Sequence, residues 1–303
     1  MKIDIEQKVT NKIIKLLESG NVAPWNTPWH GVKGENGFPL RANGEEYQGI
    51  NVLLLWMERA EKGYISNQWM TFKQAKTLGG NVKKGEKSTT VVFFKPLVIK
   101  EKLENGDDVL KNIPILKTFN VFNLDQIENL PEKFNTVVEE DPDFKPLTGR
   151  NASADKYVEN TGAIINHGGN QAFFAPAFDA IHLPEFKNFK TVEDYYSTLF
   201  HELIHWTNTK ERLDRNFEGS KRFGQKGYAT EELCAEIGAC FLNAKLGIEK
   251  TVREDHASYI QSWLKALKND KKFIFTASAK ASQAVAFLDE LQEIVEQEEK
   301  CAA

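Results

Sequence analysis

Apolar positions along the chain recur at helical spacing most clearly just after residue 191, where Tyr195, Tyr196, Leu199, Phe200, Leu203, Ile204 and Trp206 fall on one side. This period predicts an amphipathic, largely buried helix. Thr191 reads as its N-cap, and Glu193 and Asp194 lie in the first turn, where carboxylates complement the helix dipole. A second helix is predicted from Thr230, as cap, through Leu242, with Ala, Gly and Cys at many positions. Small side chains of this kind let two helices approach closely. Helical patterns also cover residues 72–78, 152–161, 258–268 and 279–297, the last running into a polar end expected to fray. Strand patterns cover 89–95, 163–167, 171–175 and 180–183. Alternation in the first of these turns one of Phe93 and Phe94 inward. Helices and strands in both halves give an α+β fold class, and no internal repeat is evident.

Composition divides the chain. Residues 129–149 carry three prolines and an acidic cluster, as a linker does, and separate a domain over 1–128 from one over 150–303. The formal net charge is −4, but the first part holds 18 Lys+Arg against 15 Asp+Glu, and residues 69–100 hold seven lysines and one glutamate. That basic run is the strongest electrostatic feature of the sequence.

Aromatics lie within and around it: Trp69, Phe72, Phe93 and Phe94 among Lys73, Lys76, Lys83, Lys84, Lys87 and Lys95, with Trp25 and Trp29 upstream. Lysines neutralise phosphates and aromatic faces stack on unpaired bases, so the set fits a single-strand-binding surface. The same pattern also fits aromatics in a core beneath a solvated lysine face. The segment Gly79-Gly80-Asn81-Val82-Lys83-Lys84-Gly85-Glu86-Lys87 is predicted as a lysine-tipped, hairpin-like loop. It lacks the Lys-Ser/Thr of a P-loop, which removes nucleotide hydrolysis.

The sharpest chemistry is His201-Glu202-Leu203-Ile204-His205. Two histidines four apart share a helix face and can hold one Zn²⁺, while Glu202 can act on water as general base without being a ligand. A tetrahedral catalytic site needs a third protein donor. His30, His167, His182 and His256 have no suitable spacing, whereas Glu232 and Glu236 share one face of the second predicted helix. Glu232 is assigned as the third ligand and Glu236 as an acceptor for a histidine ring N–H, with the reverse assignment open. This spacing resembles the gluzincin pattern. Glu231 reads as a solvated charge near the helix N-terminus. Tyr228, Arg212 and His182 are candidates to stabilise an oxyanion, and His167 is a loop residue beside a Gly-Gly turn.

Three cysteines, with no Cys-x-x-Cys pair, exclude a disulfide framework in practice and point to a reducing compartment. Met1–Glu6 has no apolar signal segment, and no run approaches a membrane span, so a cytoplasmic protein without membrane partners is expected.

The residues also resemble a known family, the ArdC-type antirestriction proteins of conjugative plasmids and mobile elements. The match runs through Pro24-Trp25, Pro28-Trp29, Tyr47-Gln48-Gly49-Ile50-Asn51, Trp69-Met70-Thr71-Phe72-Lys73-Gln74-Ala75, the Gly79–Lys87 loop and Phe119-Asn120-Val121-Phe122-Asn123. It continues in Asp179-Ala180-Ile181-His182-Leu183-Pro184, His205-Trp206-Thr207, Arg212-Leu213 and Tyr228-Ala229 into Glu231-Glu232-Leu233. The resemblance implies an N-terminal single-stranded-DNA-binding domain, of a kind also found on plasmid primases, followed by a zincin-like metallopeptidase domain. It further implies protection of incoming DNA, single-stranded DNA and an unidentified protein substrate as partners, and zinc as cofactor. An alternative is a DNA-shielding or primase-accessory protein whose zinc is structural. Within this reading Trp25, Trp29, Trp69, Lys73, Lys83, Lys84 and Lys87 are the DNA-binding candidates.

Overall fold

The computed structural model describes residues 4–19, 37–102, 108–134, 149–215, 226–248 and 256–302. Contacts group them into two units: 39–47 with 51–137, and 1–38 with 48–50 and 138–303.

The chain opens with α1 (Ile5–Glu18), a helix not read from the sequence, capped by the Asp4 carboxylate, which accepts from the Gln7 N–H. Its apolar stripe of Val9, Ile13 and Leu17 is buried. Although α1 lies inside the 1–128 span, it packs in the C-terminal unit, where Thr10 Oγ1 donates to the Lys271 carbonyl at 2.8 Å. The packing boundary therefore differs from the boundary read along the sequence.

The smaller unit holds β1 (Leu40–Arg41), α2 (Ile50–Lys62, from Asn51 on), β2 (Gln68–Thr71), α3 (Phe72–Thr77), β3 (Asn81–Val82), β4 (Thr89–Lys102), β5 (Asp108–Asn123) and β6 (Ile127–Glu128). A four-stranded sheet runs β1-β2-β5-β4, parallel between β1 and β2 and antiparallel elsewhere. The β4–β5 hairpin is paired from Thr89↔Val121 to Lys102↔Asp108, but β2 joins only its base, from Trp69↔Asn123 to Thr71↔Val121. The rest continues as a two-stranded ribbon. Asn51 clamps the outer edge of β4: its side chain gives and receives a hydrogen bond with the Val92 backbone, each 2.8 Å. Even-numbered β4 positions thus turn their backbone groups away from β5. Pro96, cross-strand from Pro114, removes no ladder bond.

Met70, Ala75, Leu124 and Ile127 form one apolar cluster, against which Leu78, Val82, Phe122, Leu130 and Phe134 pack. The α3 helix starts with a capping box between Thr71 and Gln74. The lysine-tipped segment after it is not a hairpin on itself. Its Asn81 and Val82 pair with β6, and Lys83 N–H and Nζ donate to the carbonyls of Gln126 and Asp125 at 2.9 and 2.7 Å. Leu130 and Phe134 belong to this core, so the first part of the 129–149 linker is structured; residues 135–148 lie outside the described set.

The other unit contains α4 (Ala152–Asn160), β7 (Ile164–His167), β8 (Phe173–Ala175), β9 (Ala180–Leu183), α5 (Val192–Trp206), α6 (Lys226–Lys245), α7 (His256–Asn269) and α8 (Phe273–Ala302). Its sheet runs β7-β9-β8, with β9 parallel to β7 and antiparallel to β8. Thus β9 is the central strand and offers no free edge for strand addition. The α5 helix packs on β8 and β9 and on α6, and α6 packs on α8. Asp289 of α8 ties this layer together, accepting from Tyr157 Oη at 2.9 Å and Lys245 Nζ at 2.8 Å. Among the described residues no helix is long and apolar enough to cross a membrane.

Candidate functional site

The α5 helix forms as its sequence predicts, with Thr191 Oγ1 accepting from the Asp194 N–H at 3.0 Å. Its apolar positions, including Tyr195, Phe200, Leu203 and Ile204, are fully buried. The α6 helix begins at Lys226, one turn earlier than the cap predicted at Thr230, whose side chain is buried within the helix instead. Close approach of α5 and α6 is written into Gly238. A Cβ there would stand 2.8 Å from Ile204 Cδ1 and Cγ1. Gly238→Ala is expected to cost about 1–3 kcal/mol through overpacking, less about 1 kcal/mol gained in helix propensity. Because α6 also carries Glu232, the same variant should weaken metal binding, and Ile204→Ala should be less harmful in its presence than alone. Urea unfolding of the two single variants and the double variant measures this coupling.

Across that contact, one atom each from His201, His205 and Glu232 lies within 4.8 Å of the others. The two Nε2 atoms are 3.1 Å apart; Glu232 Oε2 is 3.6 Å from His201 Nε2, and its Oε1 is 3.7 Å from His205 Nε2. Donors of a tetrahedral zinc, each about 2.0–2.2 Å from the ion, stand about 3.3–3.5 Å apart. The donor set therefore stands close to the spacing that a divalent ion needs.

The remaining ring nitrogens face carboxylates. His205 Nδ1 is 3.1 Å from Glu231 Oε1, and His201 Nδ1 is 3.5 Å from Glu236 Oε2. Each ring is thereby turned so that Nε2 is the nitrogen facing Glu232. The sequence assigns this work to Glu236 alone and reads Glu231 as a solvated charge. Glu231 is instead largely buried and receives Arg215 Nη2 at 2.7 Å, while Arg215 also donates to the Ile204 carbonyl at 2.7 Å. Burial raises the Glu231 pKa, but the hydrogen bonds and charges of His205 and Arg215 win and hold it below the usual range. Burial likewise opposes ionisation of Glu232, yet hydrogen bonds from His201 and Tyr228 and the charge of both imidazoles bring it down to about 2. Arg215 was missed in the sequence, where Arg212 drew attention.

Glu202 is 5% exposed, and its Oε2 accepts the Phe174 N–H of β8 at 2.9 Å. The strand beside α5 thus fixes one carboxylate oxygen of the candidate base. Of the oxyanion candidates, only Tyr228 touches the donor cluster, through Glu232. Arg212 is ion-paired with Asp179 and lies 3.9 Å over the Trp206 ring, His182 stacks on Phe173 at 4.8 Å, and His167 Nε2 lies 3.0 Å from Tyr195 Oη. Cys234 and Cys240 are buried thiols, Cys240 Sγ donating to the Glu236 carbonyl at 3.0 Å, and burial pushes the Cys234 thiol up.

The DNA-binding candidates fare unevenly. Lys73, Lys83, Lys84 and Lys87 are exposed. Trp69 is not a stacking residue: it is 1% exposed, with its ring edge-to-face against Tyr64 at 5.9 Å. Trp25 and Trp29 lie outside the described residues. Neither Phe93 nor Phe94 turns inward; they are 51% and 44% exposed, because β4 there has left the four-stranded sheet.

Comparisons with known proteins agree with this architecture. A family model for a zincin-like metallopeptidase (MPTase-PolyVal) matches residues 152–280, and one for the N-terminal domain of anti-restriction factor ArdC matches residues 3–122. A Sinorhizobium fredii (strain NBRC 101917 / NGR234) protein, y4eC, described as uncharacterized, is 34% identical over 285 residues, covering 92% of this chain and 90% of its own. Two Escherichia coli proteins named DNA primase TraC are 34% and 35% identical over 95% and 93% of this chain, which spans only 27% and 20% of their length. The crystal structure of the antirestriction protein ArdC from plasmid R388 is 43% identical and covers 95% of this chain and 98% of its own, with TM-scores of 0.79 metal-free and 0.77 with Mn(II) bound.

Fold and site together define a two-domain protein with a zincin-like metallopeptidase domain. The chain belongs to the ArdC family of antirestriction proteins.

Proposed function

We propose that this protein protects incoming DNA of a mobile element, binding single strands through its N-terminal domain and hydrolysing a peptide bond of a host protein at a zinc site in the C-terminal domain. The observation that carries the enzymatic part is the convergence of His201, His205 and Glu232 within 4.8 Å, beside a Glu202 that is held but is not one of the donors. Family membership supports the antirestriction role, and Mn(II) in the R388 relative supports a divalent ion. His201 Nε2, His205 Nε2 and a carboxylate oxygen of Glu232 would hold the zinc. When bound, zinc supplies a Lewis acid that acidifies water and polarises a carbonyl. Glu202 Oε2 is engaged by the Phe174 N–H, which leaves Oε1 to take a proton from the attacking water and pass it to the leaving amine. Glu231 and Glu236 hold the two imidazoles in the tautomer that presents Nε2 to the ion.

Glu202→Gln tests this reading. It removes the base, keeps both histidines and preserves an acceptor for Phe174. Proteolysis should fall by about a hundredfold or more, with zinc content and DNA affinity unchanged. The readout is cleavage of host proteins incubated with the chain and single-stranded DNA, followed by mass spectrometry. A Gln variant as active as the wild type in both cleavage and protection would overturn the peptidase reading. The sequence similarity to two primases favours a second role, in which the chain acts as an accessory to priming.

A further inference from the structure

The sequence placed base stacking on tryptophans, of which Trp69 is core. The sheet exposes a different aromatic pair. In the β4–β5 register Val91 lies opposite Phe119 and Phe93 opposite Lys117, so the four share one face. Val91 is 5% exposed, at the covered end of that face. Phe93, one step further out, and Phe119, across from Val91, are 51% and 50% exposed, and their ring centroids are 6.4 Å apart. Lys117, directly across from Phe93, is exposed, and Ile115 on the same face is 38% exposed. An adjacent group of large apolar side chains half open to water is the informative kind of surface, unlike a single exposed one.

We propose that Phe93 and Phe119 are the base-stacking platform for single-stranded DNA, with Lys117 placed to meet the backbone phosphate between stacked bases. This rests on the single-strand-binding reading above and names its residues. Three observations favour nucleic acid as the occupant. The two rings form one adjacent, edge-to-face pair on a regular sheet face, with 69° between their planes, so each ring can carry one base. A cation lies within that face and not merely at its rim. The surrounding segment 69–100 carries seven lysines against one glutamate, which complements a polyanion. Stacking tolerates any base, so little sequence preference is expected.

The test is fluorescence-anisotropy titration of the full chain with a labelled oligothymidylate at several salt concentrations. Phe93→Ala and Phe119→Ala should each weaken binding about tenfold, and the double variant more, with the slope of log K against log [salt] unchanged. Lys84→Ala/Lys87→Ala should instead lower that slope by about one to two. Phe93→Trp should keep the affinity and report it, its fluorescence being quenched as bases stack. Circular dichroism melts of the alanine variants should match the wild type, because both rings are half exposed. If the wild type binds no single-stranded DNA, the underlying reading fails. If it binds and the double alanine variant binds equally well, the platform is wrong while the reading stands. Loss of self-association in the double variant, with DNA affinity retained, would likewise overturn the proposal in favour of a contact between copies.

Discussion

Glu232→Ala is expected to abolish tight metal binding while leaving the fold in place. The wild-type chain should hold about one equivalent of zinc, because three donors already stand at separations close to those of a tetrahedral site. Removing one leaves two imidazoles four residues apart on α5, a pair that binds weakly by itself. The comparison that gives this experiment its force is with the other two carboxylates of α6. Glu231→Gln and Glu236→Gln keep all three donors and change only the partners of the Nδ1 atoms, so each should lower zinc affinity by about 10–100-fold, less than the loss in Glu232→Ala. Competition against a chromophoric chelator measures all three on one scale, and the visible spectrum of the Co(II) form reports whether the coordination number is kept. A larger loss in Glu236→Gln than in Glu232→Ala would exchange the two roles. Equal and small losses in all three would remove α6 from the metal site altogether.

The parts of this site that the sequence disclosed are those fixed by local geometry. His201 and His205 share a face because four residues make about one helical turn, and Thr191 caps its own helix from three residues away. Glu232 is reachable as a candidate because α6 carries two acids four apart on a chain of small residues, a pattern suited to a close helix neighbour. Glu231 was misread for the opposite reason. Its burial depends on Arg215, 16 residues away and beyond the end of α5, and nothing in the local pattern marks that partner. Thr230 has the chemistry of a cap but does not begin the helix, because tertiary packing, which buries Gly227 and Ala229, carries the helix through the residues before it. Phe93 and Phe94 defeat the alternation rule because it assumes a sheet with one covered face, and the β4–β5 hairpin runs on beyond β2. Strand 180–183 was found, but its central place in the β7-β9-β8 order depends on two partners that the chain reaches by turns of unequal length.

Arg215→Met should destabilise the metal-free protein by about 3–5 kcal/mol, a cost typical of breaking a buried ion pair by removing one partner. The Arg215 side chain is 0% exposed, and its guanidinium makes two contacts with Glu231, at 2.7 and 3.3 Å, besides its hydrogen bond to the Ile204 carbonyl. Methionine fills much of the volume but leaves the Glu231 carboxylate without its cation and takes one of three donors from the Ile204 carbonyl, which keeps the Thr207 N–H and Oγ1. Arg215→Lys should recover only part of the loss, because an ammonium cannot present the planar fork that reaches Glu231 and Ile204 together. The double variant Arg215→Met/Glu231→Gln should be more stable than Arg215→Met alone, since the stranded charge is gone. Urea unfolding in the presence of a chelator measures these differences without the metal. The same guanidinium steadies the carboxylate that orients His205, so stability and metal affinity should fall together in Arg215→Met, the latter by about 10–100-fold. In the double variant they should separate: stability returns, but zinc affinity does not, because a neutral amide is a poorer partner for Nδ1 of a ligating histidine. A change below about 1 kcal/mol in Arg215→Met would mean that Glu231 finds water in place of the arginine and that the ion pair does not position the site.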